Sequence, residues 1–172
     1  MLHCLRSLPE VPGLKLSAAD EGVMGNKQPP KRPLVDIGIV CSDFGESLRF
    51  YRDLLGLQPV LDIQIPQEVA VGAGLAPRAF RQVRLKAGET LVKLMEIKDP
   101  PPRRSADFAA GVRWLTFFVE DLQRTYEDLS AKGVKFLGQP VSAPDAAAVA
   151  CALDPDGLLV EFVQLHPEPA RR

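Results

Sequence analysis

The sequence predicts an α+β protein made of two tandem βαβββ modules. Three observations carry this. First, "VDIGIVCSDFGESLRFYRDLLGL" and "VRWLTFFVEDLQRTYEDLSAKGV" register when one is slid by 78 positions. Asp36 then falls on Trp114, Asp43 on Asp121, Phe44 on Leu122, Leu48 on Tyr126 and Tyr51 on Leu129. Second, each copy reads as a strand, a carboxylate-bearing turn, a helix and a glycine, followed by three short strand-like runs. Third, "IKDPPPRRSADFAAG" divides the copies, and three consecutive prolines can continue neither strand nor helix.

Residues 1–33 show no sustained period and end in a Pro/Lys/Arg cluster. They read as a flexible extension without the pattern of a secretory signal. The first module, 34–98, opens on the apolar strand "LVDIGIVC". Asp43 stands at the helix start, where its oxygens can cap free N–H groups. Phe44, Leu48, Tyr51 and Leu55 recur at spacings of four, three and four and make one apolar helix face. Gly56 follows, where a left-handed residue ends the helix. Strands are expected near Val60–Ile65, Arg78–Lys86 and Leu91–Ile97. The Gly/Ala-rich 65–77 reads as a loop, and "KAGET" as a turn.

Residues 99–111 form the Pro-rich linker. The second module, 112–166, repeats the plan. Asp121 caps a helix bearing Leu122, Tyr126 and Leu129, and Gly133 stops it. Strands follow near Lys135–Leu137, Ala148–Leu153 and Leu158–Gln164, with "DPDG" turning between the last two. Asp154 and Asp156 read there as turn formers. Residues 167–172 are a short tail.

Composition narrows the function. Apolar residues are 46% of the 172, enough for a substantial core, and the net charge is −1. No long basic patch recommends a nucleic-acid or membrane surface, and no apolar run is long enough to span a bilayer. The three cysteines are scattered, which suits a reducing cytoplasm and not a disulfide framework. Cys41 and Cys151 lie in apolar strands and read as buried, inert thiols.

The two motifs, in this order over about 34–165, resemble the vicinal oxygen chelate superfamily of glyoxalase I, epimerases, extradiol dioxygenases and bleomycin resistance proteins. The resemblance implies a curved eight-stranded mixed sheet with helices on its outer face and a pocket in its concave face. It also implies four ligand positions on the first and last strands of the modules. These match Asp36, Lys93, Trp114 and Glu161. Strand alternation agrees: Asp36, Lys93 and Glu161 each face away from apolar neighbours that suit a core under the helices.

The residue types depart from that pattern. Glu161 is a standard ligand and Asp36 a shorter one, but Lys93 repels a divalent cation and Trp114 has no lone pair to offer. His3 and His166 match no ligand position. The preferred expectation is an altered site without a metal, in which the Lys93 ammonium stands between Asp36 and Glu161 and offsets their repulsion. The alternative keeps a divalent metal (Zn, Ni, Mn or Fe) on Asp36 and Glu161. Trp114 and Arg84 are expected to touch the ligand.

The chain then reads as a glyoxalase-like binder of a small molecule. Two other readings stay open. One is a lyase or isomerase of glyoxalase or epimerase type, with Glu161 or Asp36 as base and a metal or Lys93 holding the enediolate. The other is a drug-sequestering resistance protein. Members of the superfamily often form homodimers.

Overall fold

The computed structural model describes residues 35–103 and 111–167. Contacts gather the described residues into one unit. The expected N-terminal extension and residues 104–110 of the linker lie outside the described residues.

The first module runs β1 (Ile37–Val40), α1 (Phe44–Leu48), β2 (Gln58–Ile65), α2 (Gln67–Gly72), β3 (Phe80–Ala87) and β4 (Thr90–Ile97). The second runs β5 (Trp114–Phe118), α3 (Leu122–Ala131), β6 (Lys135–Phe136), β7 (Val141–Ala143), β8 (Ala146–Leu153) and β9 (Leu159–Gln164). The α+β class and the two tandem modules are those expected, but each carries an addition: α2 in the stretch 65–77 read as a loop, and the short β7 in the second module. The single eight-stranded sheet is instead two sheets, ordered β1-β4-β3-β2 and β5-β9-β8-β6, with β7 also on β8. β1 pairs with β4 in parallel, and β5 with β9 in parallel. Each first strand therefore keeps one unpaired edge in the described sheets.

Local chemistry explains the helices. Asp43 Oδ1 accepts the Glu46 N–H at 3.0 Å and Asp121 Oδ1 accepts the Arg124 N–H at 2.9 Å, which fixes both starts. Gly56 and Gly133 stand just past the two helices at φ +74° and +88°, where a side chain is strained. One departure follows α1. Arg49–Leu54 widens into a π-helical turn, closed by Leu55 N–H on the Phe50 carbonyl at 3.0 Å. The wider turn lets the consecutive Phe50 and Tyr51 both reach the core.

One apolar cluster joins both modules. It holds Ile39, Cys41, Tyr51, Leu85, Val92 and Leu94 from the first, and Leu115, Leu129, Val160 and Phe162 from the second. A buried polar contact fastens them. Asp156 accepts the Ser42 N–H at 2.9 Å and the Ser47 hydroxyl at 2.9 Å. Asp154 Oδ2 accepts the Tyr51 hydroxyl at 2.8 Å, while its Oδ1 accepts the Asp156 and Leu158 N–H groups. The "DPDG" turn between β8 and β9 is thus a turn and also a latch on α1.

Candidate functional site

The sheet faces opposite the core carry the candidate residues, as alternation predicts. Ile39 and Cys41 turn into the core, and Gly38 and Val40 turn out. Val92 and Leu94 are buried on either side of Lys93, and Val160 and Phe162 on either side of Glu161.

Asp36 lies just before β1, against β4. Its Oδ2 takes Lys93 Nζ at 2.8 Å and its Oδ1 accepts the Leu91 N–H at 3.1 Å. The pair is not deeply buried, with side chains 33% and 25% exposed for Asp36 and Lys93. Although its neighbours in the strand are apolar, Asp36 is therefore half of a partly exposed ion pair, because the outer face of β1 is open. The Lys93 hydrogen bond, then the Leu91 N–H and the charges of Lys93 and Arg84, hold the Asp36 carboxyl below its ordinary pKa of 3.8. Mutual repulsion with Glu161 would have pushed one carboxyl up, and no such effect acts on Asp36.

Arg84 sits on β3 directly across from Lys93 in register. Its Nε donates to the Gln82 side chain at 2.8 Å. The face of the first module therefore gathers two cations around one carboxylate. Arg78 stands apart, pairing with Asp99 at 2.9 Å on an exposed edge.

Glu161 makes a different contact. Its Oε2 accepts the Thr116 hydroxyl at 2.6 Å, from the register partner on β5. The salt bridge of Lys93 goes to Asp36, so the structure does not put Lys93 between two carboxylates. Thr116 is the partner sequence reading missed. It shares a face with Trp114 two residues earlier, and the alternation that placed Trp114 could have found it. Trp114 is 53% exposed.

A divalent metal does not fit this donor set. One ligand position is an ammonium, one an indole, and one carboxylate is already taken by the ammonium. Among the described residues no group of three or more His, Cys, Asp or Glu side chains stands together.

The Cys41 thiol is pushed up to about 11 by burial, and burial also raises Cys151. Both are free and neither is an activated nucleophile.

The sequence profile of the glyoxalase/bleomycin resistance protein/dioxygenase superfamily matches residues 34–162. Two βαβββ modules in one chain are the class that match describes, and the chain belongs to that superfamily. The uncharacterized protein YraH of Bacillus subtilis is 31% identical over 134 residues, covering 77% of this chain and 98% of its own. The uncharacterized protein YaeR of Escherichia coli is 27% identical over 128 residues, covering 74% and 92%. Among solved structures, a glyoxalase family protein from Bacillus cereus superposes with a TM-score of 0.67 at 16% identity, covering 83% of this chain and all of its own. A lactoylglutathione lyase from Agrobacterium tumefaciens superposes at 0.51 with 21% identity, covering 80% and 96%. These likenesses show the fold.

Proposed function

We propose that the protein binds a small anionic molecule on its concave sheet face, through an ammonium–carboxylate pair that takes the place of a metal. The observation that carries this reading is the Lys93–Asp36 contact at 2.8 Å, at two of the positions where the superfamily holds ligands. Arg84, across from Lys93, leaves the first module's part of that face with more cation than carboxylate. An anionic group on the ligand satisfies the surplus. Trp114 offers a half-exposed ring for a flat or apolar body. Free thiols suit a cytoplasmic setting, and no helix among the described residues is long and apolar enough to cross a membrane. The working assembly in this reading is a homodimer, for which edge strand β2 offers the half-exposed Val60 and Leu61.

A drug-sequestering role belongs to the same reading. A metal-dependent lyase or isomerase does not, since its step needs ligands that are engaged elsewhere.

The test is metal analysis of protein purified without chelator, beside calorimetric titration of small carboxylates and phosphates. Metal well below one ion per chain is expected, with an anion whose binding weakens in Lys93→Ala and Arg84→Ala. One tightly held Zn, Ni, Mn or Fe per chain, lost in Asp36→Ala, overturns the reading.

A further inference from the structure

The two modules repeat, but their helix–turn contacts do not. On one side of the repeat, α1 is latched to the β8–β9 turn by Ser47, Tyr51, Asp154 and Asp156. The repeat puts Thr125 where Ser47 stands and Leu129 where Tyr51 stands. The corresponding turn, between β3 and β4, is "KAGET" and carries no pair of inward aspartates. Neither half of the latch exists there. In its place lies a cleft of about 820 Å³ between α3, the β3–β4 turn, and Leu54, Leu55 and Leu57 of the first module. It runs along the unpaired edge of β5 and takes residues from both faces of that strand, Phe117 from the core side and Trp114 and Phe118 from the other.

The walls mix apolar side chains with the threonines Thr90, Thr116 and Thr125, and Trp114 and Phe118 remain 53% and 67% exposed. Apolar surface in a cavity of this size is the usual setting for a small ligand. Two cations stand at its rim, Lys86 on β3 and Lys132 just past α3. Neither is in a salt bridge of the described residues, whereas Asp128, the acidic residue of the lining, already has Arg124 at 3.9 Å. Asp36, Lys93, Arg84 and Glu161 do not line the cleft.

We propose that this inter-module cleft is a second binding site, for an amphiphile with an apolar chain and one anionic head, such as a medium-chain carboxylate. The chain lies against Leu54, Leu57, Phe117 and Trp114, and the carboxylate meets Lys86 and Lys132. Trp114 and Thr116 also belong to the sheet face of the proposed function, but Lys86, Lys132, Leu54 and Leu57, which carry this proposal, are not used by that reading.

Trp114 is the single tryptophan of the chain, so its fluorescence reports on the cleft. Decanoate titrated into the full chain is expected to change that emission saturably below its micellar range. The double variant Lys86→Glu/Lys132→Glu is expected to weaken decanoate by about tenfold or more while leaving neutral decanol unchanged. Lys93→Ala, on the concave face, is expected to leave decanoate binding intact. Thr125→Trp, which fills the cleft from the side of α3 that lines it, is expected to abolish it, read by calorimetry because it adds an indole. The proposal is overturned by a flat decanoate titration, or by charge-reversed protein that binds as tightly as wild type. It is also overturned if sedimentation shows a dimer whose formation alone shifts Trp114 emission and excludes decanoate, because the cleft is then an interface between copies of this chain.

Discussion

Tyr51→Phe removes one hydroxyl and nothing else from the latch between the modules. Tyr51 is fully buried and Asp154 is 4% exposed. The ring keeps its edge-on packing against Phe50 at 5.0 Å between centroids. Asp154 Oδ1 keeps its two backbone donors, and Oδ2 loses its 2.8 Å partner. A hydrogen bond to a charged group contributes roughly 1.5–3 kcal/mol, so the variant is expected to lose about 2 kcal/mol at neutral pH.

The pH dependence gives a second reading of the same bond. Burial raises the Asp154 carboxyl above its ordinary 3.8, and the Tyr51 hydroxyl opposes that rise. A raised folded-state pKa in an acid means the ionised form costs stability as pH climbs from the unfolded value through the folded one. Without the hydroxyl the folded value climbs further, so the cost at neutral pH grows. Below the unfolded value the carboxyl is protonated in both states, and an ordinary hydrogen bond of about 1 kcal/mol is all that is lost. Tyr51 itself is pushed far above its usual range by burial and stays a donor throughout. Urea unfolding followed by Trp114 emission, at neutral pH and near pH 3, measures the difference between variant and wild type at each pH. A neutral-pH loss under about 0.5 kcal/mol refutes the latch. So does a loss that grows on acidification.

Three further outcomes are expected. Lys93→Ala raises the Asp36 carboxyl back toward 3.8, read by carboxyl carbon NMR, because the Lys93 hydrogen bond is the largest influence lowering it. The stability tied to that lowered value is present above 3.8 and lost as pH falls through the folded value, so the variant is less sensitive over that acid window; an unmoved Asp36 titration counts against the pair. Cys41 stays unlabelled by a thiol-specific disulfide reagent at about pH 8 until the chain unfolds, since its thiol titrates near 11; mass spectrometry of native protein that finds Cys41 modified counts against its burial. Gly133→Ala costs about 1–2 kcal/mol in thermal or urea unfolding, because φ is +88° and no atom lies within 4 Å of the added methyl, leaving backbone strain as the cause. Gly138→Ala, also uncrowded but without a positive φ, is the control and is expected to be near neutral.

How far the sequence reaches depends on whether a residue's partner is local. Asp43 and Asp121 cap N–H groups three residues away, so spacing identifies them. Strand alternation identifies the outward face of Lys93 and Glu161 for the same reason. Asp154 and Asp156 fail this test. "DPDG" fully accounts for a turn, and nothing near it in the chain announces Ser47 or Tyr51 more than a hundred residues earlier. The partner of Lys93 also depends on strand order. β1 pairs beside β4, which sets Gly38 across from Lys93 and brings Asp36 within reach, while Glu161 lies on the other sheet with Thr116. The π-helical turn escapes notice because a spacing of four, three and four fits a regular helix. It is betrayed by Phe50 and Tyr51 both being buried, a fact of packing. α2 falls in the Gly/Ala-rich 65–77, read as a loop, because six residues are too few for a period to emerge. β7 has three residues for the same outcome.

The repeat therefore conserves backbone and divides chemistry. Asp36 and Trp114 occupy one position of the two copies, yet one makes an ion pair and the other exposes an indole. Ser47 and Tyr51 bind aspartates in one copy, while Thr125 and Leu129 border the cleft in the other. Buried hydrogen bonds to carboxylates hold α1 in one arrangement, because leaving any partner unpaired is costly. Among the contacts of the described residues no comparable polar contact ties α3 to the β3–β4 turn, so that gap can change width without breaking a hydrogen bond of the latch. A ligand that bridges Lys86 and Lys132 would draw α3 toward the turn while the α1 side stays fixed. If so, hydrogen exchange along α3 slows on adding decanoate and exchange along α1 does not; slowing of equal size in both helices contradicts the division of roles.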